Sequence, residues 1–319
     1  MISLGKRGFV YVITMSLLLV VILAVFLTTN QYRYQDKTES YHIKISSSND
    51  FVKDLNNDIH RASFIAAFRA LISLENHITS SGEFLEDVDK SFIETFYYGT
   101  IDGSEVNLME NSSFEEYIQK VNYIGEQKGL NVKVNITTVN LTQSDPWSVD
   151  VILTADVNIS DKDKLSSWVY TKDYLTNIPI LDLRDPLYGV YTKNKIPNTI
   201  RKLNVTEFVE SGNPENLINH INQSYYIESS FAPTYIMRFE NSTEANPNGI
   251  ESIVNIQTLS DQGLEVFPDR TKIDYIYFND ISDSKICDVE GIPSDLYYVV
   301  SDDRDTLYEL NELNYSTSC

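Results

Sequence analysis

Residues 9–29 read FVYVITMSLLLVVILAVFLTT, a stretch of 21 residues without a charge that directly follows Lys6-Arg7-Gly8. A helix rises about 1.5 Å per residue, so this stretch is long enough to cross the roughly 30 Å hydrocarbon core of a bilayer. The hydrophobic region of a cleaved secretory signal is shorter, about 7–15 residues. The sequence therefore predicts one transmembrane helix near the N-terminus.

The charges around this stretch predict its orientation. Lys6 and Arg7 precede it, and the first 35 residues contain no acidic residue. By the positive-inside rule, the short N-terminal flank lies in the cytoplasm and the rest of the chain is extracellular. The part beyond residue 30 carries 23 basic and 46 acidic residues, a formal charge of −23. Nucleic acid and anionic lipid headgroups are poor partners for so acidic a surface.

Asn-X-Ser/Thr sequons occur only after the hydrophobic stretch. Their glycosylation would suit an exported chain, whereas a sequence rich in Asn, Ser and Thr also contains such triplets by chance, and both interpretations stay open. The glycosylation candidates are Asn111, Asn135, Asn140, Asn158, Asn204, Asn222, Asn241 and Asn314.

The chain has two cysteines, Cys287 and Cys319. In an oxidising compartment we expect them to form a disulfide that closes the C-terminal segment, worth about 3–4 kcal/mol on the loop-entropy model. Their spacing matches no zinc signature, and no two of the four histidines have a metal-ligand spacing. We therefore predict no metal site.

Apolar periodicity predicts helices after the transmembrane stretch, among them a short one at 84–98. Apolar residues recur at steps of three and four from Phe51 to Ile72, so an amphipathic helix is expected to end near Ser80-Ser81-Gly82. It either continues the transmembrane helix as one rod or is separated from it by a break around Ser46-Ser47-Ser48. Ser113 and Glu116 have capping-box spacing, and the apolar stripe after them predicts a helix over 113–128.

Alternation of apolar and polar residues then predicts antiparallel strands. It covers Val132–Ile136 and, over seven inward positions, Trp147–Ile159. Shorter strands are expected at 168–171 and 178–181, followed by a turn at 185–189. In the C-terminal part the predicted elements are a helix at 215–227 and strands at 253–259, 273–278 and 296–300.

Together these patterns predict an α+β fold in two lobes. A long N-terminal helix, first transmembrane and then amphipathic, precedes a mainly antiparallel β ectodomain with packed helices. The basic polar run at 192–204 is the predicted boundary between the lobes. The predicted regions are the cytoplasmic flank and transmembrane helix (1–30), a helical stalk (31–128), an antiparallel β region (129–191) and a C-terminal α+β lobe (205–319).

The junction Lys6-Arg7-Gly8-Phe9-Val10, with an uncharged run after it, resembles the class III signal of archaeal type IV pilin-like proteins. The resemblance implies cleavage between Gly8 and Phe9, with the hydrophobic helix retained. Pilins carry a glutamate five residues after the cut, where this chain has Ile13. That departure argues against assembly into a filament more than against export. Three further strings are similar to those of uncharacterised archaeal envelope proteins with such an N-terminus: Ile178–Tyr188, Ala232–Glu240 and Gly249–Val254.

These observations favour a membrane-anchored extracellular protein with a structural or adhesive role, pilin-like in build, whose partners are the membrane and other envelope or pilin-like subunits. The alternative is an anchored extracellular hydrolase that acts on glycans or peptides. The sequence has no Gly-x-Ser-x-Gly, P-loop, Gly-x-Gly-x-x-Gly or His-Glu-x-x-His motif, so we assign no catalytic, cofactor-binding or metal-binding residue. The tyrosines at 225–226, 275, 277 and 297–298 serve either as a contact surface or as core.

Overall fold

The computed structural model describes residues 6–281, 286–289, 292–293, 298–300 and 306–313. It is an α+β protein in which one long apolar helix precedes antiparallel sheets, as predicted. The helices are α1 (Lys6–Ser81), α2 (Val88–Tyr98), α3 (Phe114–Gln127), α4 (Pro186–Tyr191), α5 (Glu215–Gln223), α6 (Ile256–Asp261) and α7 (Asp274–Asn279). The strands are β1 (Thr100–Ile101), β2 (Ser104–Glu105), β3 (Leu130–Asp145), β4 (Ser148–Asp161), β5 (Ser167–Pro179), β6 (Tyr226–Glu228), β7 (Ile250–Ser252), β8 (Ile286–Asp288) and β9 (Tyr298–Val300). Short 3-10 helices span Asn107–Met109, Met237–Glu240 and Leu310–Glu312.

Helix α1 is continuous over 76 residues, so the predicted transmembrane and amphipathic segments form one rod of about 114 Å. Its second half is the spine of the folded part. Ala66, Ala67 and Ala70 are fully buried there, and their small side chains let neighbouring elements approach the helix closely. The helix ends at Gly82, whose φ of +76° is the left-handed conformation that glycine adopts without strain, and whose N–H donates to the Ile78 carbonyl.

The main sheet is an antiparallel meander in the order β3-β4-β5, and it packs on the second half of α1. The inward positions of β4 that the alternation predicts, from Val149 to Ile159, are at most 1% exposed. The opposite face of the sheet is mostly polar, with Val169 and Leu175 of β5 also exposed on it. We call the part formed by residues 44–281 around the second half of α1 the head.

The structure corrects the prediction of two strands at 168–171 and 178–181. Residues 168–171 and 178–179 both belong to β5, which pairs with β4 along its whole length, and residues 180–181 lie beyond its end. Lys172 and Asp173 interrupt the apolar pattern between them, but they pair with Ala155 and Thr154 in the same ladder. Backbone hydrogen bonds form the ladder, and they do not require apolar side chains.

Three other predictions were wrong in element type. The predicted turn at 185–189 is helical, because the Asp185 side chain caps the Leu187 N–H at 2.8 Å and Pro186 occupies the first turn of α4. The strands predicted at 253–259 and 273–278 contain α6 and α7 instead. Short apolar runs buried on several sides carry no clear period, so a strand and a helix look alike in sequence.

The main core joins regions that are distant in sequence. It contains residues of α1, α2, α3 and the sheet, and also Tyr226, Tyr235 and Phe239 from beyond the predicted boundary at 192–204. A second cluster gathers around Leu217 of α5. The division into two lobes stays a prediction.

Some predicted features fall at the limit of the described part of the chain. Cys287 lies in β8, and Cys319 lies outside the described residues, so their disulfide stays a prediction. Asn314 and Tyr297 also lie outside the described residues.

Candidate functional site

The first candidate is the N-terminal part of α1. Gly8–Thr29 forms 22 helical residues with a mean hydropathy of 2.9, and none of it is buried in the protein. The hydroxyls of Thr14 and Thr29 donate to carbonyls of their own helix at 2.9 and 2.8 Å, which leaves their polar groups satisfied in an apolar solvent. A core helix of a soluble protein would be buried, whereas an anchor and a signal sequence both fit this description.

An ion-pair cluster marks where the head first meets α1. Lys44 lies 3.1 Å from Asp161, which is 1% exposed, and also pairs with Asp163 in the turn between β4 and β5. Hydrogen bonds to Asp163 and Asp161 raise the pKa of Lys44. At about 1.5 Å per residue, this contact lies roughly 22 Å along the helix from Thr29. The head therefore begins clear of the apolar segment.

A fully enclosed ionic cluster lies at the centre of the head. The Nη1 atom of Arg238 lies 2.6 Å from Asp185 and 2.8 Å from Asp274, and all three side chains are fully buried. Tyr226 donates to Asp185 at 2.7 Å, and the Ser252 hydroxyl donates to Asp274 at 3.1 Å. The cluster connects the start of α4, a 3-10 helix, β6, β7 and α7.

The charges of this cluster depend on one another. Burial alone would lower the pKa of Arg238, but Asp185 and Asp274 outweigh it, so the pKa is raised and the guanidinium stays charged. Burial raises the pKa of Asp185, and Arg238 opposes that rise. Asp185 and Asp274 do not line the surface cavities of about 370, 340, 320 and 170 Å³. The cluster is a structural cross-link rather than an open acid–base pair.

The cluster also brings together the three strings singled out in the sequence. Asp185 belongs to Ile178–Tyr188, Arg238 belongs to Ala232–Glu240, and Ser252 belongs to Gly249–Val254. The three strings meet in space at the buried ion pairs. Sequence patterns alone did not identify this partnership, because segments separated by 43 and 8 residues carry no periodic signal of their contact.

Two surface cavities have titratable side chains in their lining. One, of about 370 Å³, lies between α1 and α3 and has Phe51 and Asp58 among its lining residues. The other, of about 340 Å³, lies between α1 and α2, and its rim carries His77 and Asp102. The His77 Nε2 and an Asp102 oxygen are 4.0 Å apart, and the Asp102 side chain is 87% exposed. This distance exceeds the reach of a general base for its partner, about 2.6–3.2 Å.

Among the tyrosines proposed as a contact surface, those whose side chains the structure describes are mostly core. Tyr226, Tyr275 and Tyr277 are at most 3% exposed. Tyr226 belongs to the ionic cluster, and the Tyr275 hydroxyl donates to the Phe231 carbonyl at 2.8 Å. Tyr225 is half-buried. These residues therefore form no exposed aromatic patch.

The described sequons differ in exposure. Asn111, Asn204 and Asn222 are exposed, as are Asn135, Asn140 and Asn158, which lie on the polar face of the main sheet. Asn241 is half-buried.

We expect N-glycans at Asn135, Asn140 and Asn158 but not at Asn241. A glycan would attach to the Asn241 Nδ2, and this side chain is half-buried, with its Oδ1 accepting a hydrogen bond from the Tyr191 hydroxyl at 3.1 Å. Mass spectrometry of peptides from the native protein measures the occupancy of each site. Tyr191→Phe is the matched variant, because it removes the hydrogen bond that holds the Asn241 side chain. Substantial occupancy of Asn241 in the unaltered protein would contradict the prediction.

No family model, curated protein or solved structure matches this chain.

Proposed function

We propose that this protein is a membrane-anchored extracellular component with a structural or adhesive role, pilin-like in build. The observation that carries the proposal is α1 itself, in which an unburied apolar segment continues without a break into the spine of the head. Such a helix holds the head at a set distance from the membrane. The strongly acidic composition beyond residue 30 suits a head that stays soluble in water.

The hydrolase remains the second candidate, and the specific observation in its favour is the His77–Asp102 pair beside a cavity of about 340 Å³. The pair is open to solvent, and the distance between its two atoms is too long for proton transfer in this arrangement. The other close carboxylates, Asp185 and Asp274, share Arg238 in the interior. The structural or adhesive role is therefore the better supported of the two.

The position of Ile13 bears on how such a component would assemble. In a pilin-like bundle the glutamate at this place neutralises the new amino terminus of a neighbouring subunit. A charge left unpaired among apolar helices is costly. We therefore propose that the chain, cut between Gly8 and Phe9, is an anchored protein or a minor subunit rather than the main shaft of a filament.

Two measurements test this proposal. Protease added to intact cells is expected to trim the head, because residues after Thr29 face outward. Terminal sequencing is expected to find a mature chain that begins at Phe9, and Gly8→Val is expected to retain Met1, with Gly5→Val as the matched control. Protection of the head after permeabilisation of the outer envelope would refute the topology, and an intact Met1 in the unaltered chain would refute processing.

A further inference from the structure

The two outer strands of the main sheet each expose a stretch of edge. On β5, none of residues 167–173 is buried, and on β3, none of residues 133–138 is buried. The strands also carry few of the features that protect an edge. Lys133 is the only charged residue of β3 before Asp145, the stretch of β5 carries Lys172 and Asp173 at its end, and the first proline of β5 is Pro179. Long edges without proline are templates for another strand.

The ladder shows which backbone groups face outward from β5. The Asp161 N–H donates to the Ser166 carbonyl at 3.0 Å, which makes this a hydrogen-bonded pair. Hydrogen-bonded and non-bonded pairs alternate along an antiparallel ladder. Val169, Thr171 and Asp173 therefore direct their N–H and C=O groups away from β4. Within the described part of the chain, no group forms a hydrogen bond with them.

The same reasoning applies to β3. The Lys162 N–H donates to the Gly129 carbonyl at 3.0 Å, so the alternation turns the backbone groups of Val132, Val134 and Ile136 away from β4. They too have no hydrogen-bond partner among the residues that the structure describes. A β-bulge between Ile136 and Thr138 interrupts the edge, so the pairing surface is the stretch before it.

The two open edges lie at the same height in the head. Lys133 pairs with Asn158 on β4, and Asn158 pairs with Val169 on β5. Strands β3 and β5 also run in the same direction, since each is antiparallel to β4. The C-terminal end of β4, at Asp161, meets Lys44 near the base of the head, so β4 runs toward the anchor. Strands β3 and β5 therefore run away from it.

We propose that copies of this chain in one membrane associate side by side, with β5 of one copy pairing in parallel with β3 of the next. The inference rests on the proposed membrane anchoring. A second copy suits these edges because the pairing keeps every anchor on the same side and every α1 on the same face of the extended sheet. Antiparallel pairing of two β5 strands would place the two anchors at opposite ends. The interface is heterologous and propagates along a row of copies.

Cysteine cross-linking in native membranes tests the pairing. Two tagged forms of the full chain, K133C and V169C, are co-expressed, and the linked peptides are identified by mass spectrometry. A disulfide needs Cβ atoms about 3.5–4.5 Å apart, so strands in register are expected to link positions 133 and 169. L175C replaces V169C in the control. Leu175 is 58% exposed on the same face, but it lies six residues, about 20 Å, along the strand.

A second pair of variants tests the role of the backbone. In a chain that also carries V169C, Thr171→Pro removes an outward N–H without touching the ladder to β4, whereas Thr171→Ala keeps it. We expect Thr171→Pro to lower the yield of the 133–169 link at least about tenfold. Thr171→Ala is expected to leave the yield unchanged.

The outcomes separate this inference from the proposed function. A membrane-bound chain that forms no 133–169 link, or that links position 169 only to another position 169, overturns the heterologous pairing and leaves the anchoring intact. Equal yields from V169C and L175C, or from Thr171→Pro and Thr171→Ala, also overturn it. A chain recovered entirely in the soluble fraction overturns the anchoring, and the pairing within one membrane with it.

Discussion

Replacing Arg238 by methionine is expected to destabilise the head by about 3–5 kcal/mol, enough to remove a large part of its stability. Methionine fills similar space but leaves Asp185 and Asp274 as buried carboxylates without their shared cation. Urea unfolding of the detergent-solubilised full chain, followed by circular dichroism, measures the free energy of unfolding. Lys53→Met is the matched control, because Lys53 pairs with Asp50 at 3.8 Å in the open and should cost less than about 1 kcal/mol.

A rescue variant separates the charge from the packing. Adding Asp185→Asn and Asp274→Asn to Arg238→Met removes the two unpaired charges and keeps hydrogen-bonding groups beside Tyr226 and Ser252. This triple variant is expected to recover more than half of the lost free energy. A cost below about 1 kcal/mol for Arg238→Met alone would show that the ion pairs contribute little to the head.

The protein is expected to lose about 3 kcal/mol of stability through His220 when the pH falls from 7 to 4. His220 is fully buried on α5 between the rings of Phe208 and Tyr308, with centroid distances of 5.2 and 5.8 Å. Its two ring nitrogens have no hydrogen-bond partner among the described residues. Burial lowers its pKa from 6.5 to about 3, so the folded state holds the neutral ring.

The sign of this effect follows from proton binding. Below pH 6.5 His220 binds a proton in the unfolded chain, whereas in the folded chain it stays neutral down to about pH 3. The stability of the fold therefore falls as the pH falls through this window. Glu75 acts in the opposite direction. Burial raises the pKa of Glu75 to about 7. The resulting stabilisation of the folded state is fully present below pH 4.5 and is lost as the pH rises through 7.

Comparing variants isolates the contribution of His220. Unfolding free energies at pH 7 and pH 4 are measured for the unaltered chain and for His220→Leu, which cannot take up the proton but keeps Glu75. We expect the loss between the two pH values to be about 3 kcal/mol smaller in His220→Leu. Ile221→Val, a buried neighbour on α5, is the control and should lower stability equally at both pH values. Equal pH dependence of His220→Leu and the unaltered chain would contradict the prediction.

The elements with a long, clean period were predictable from sequence. The uncharged run at 9–29, the stripe from Phe51 to Ile72 and the capping box at Ser113 each specify a helix through neighbours within a turn or two, and the structure has helices there. The alternation of β4 likewise specifies one buried face. These signals are local, so they need no knowledge of the partner against which an element packs.

Tertiary structure alone decided the rest. Residues 253–259 and 273–278 have β-branched and aromatic residues typical of strands, yet packing within the head makes α6 and α7 of most of them. Asp185 and Arg238 are 53 residues apart in the chain, and only folding brings them into contact. Asn135 is exposed and Asn241 is half-buried, and this difference also depends on residues far away in the chain. The sequence by itself therefore determined the apolar helical segment at 9–29, the amphipathic helix after it and the buried face of β4, because their signals repeat over neighbouring residues. The buried ion pairs and the two open sheet edges were decided by folding, because burial and pairing are properties of the assembled head.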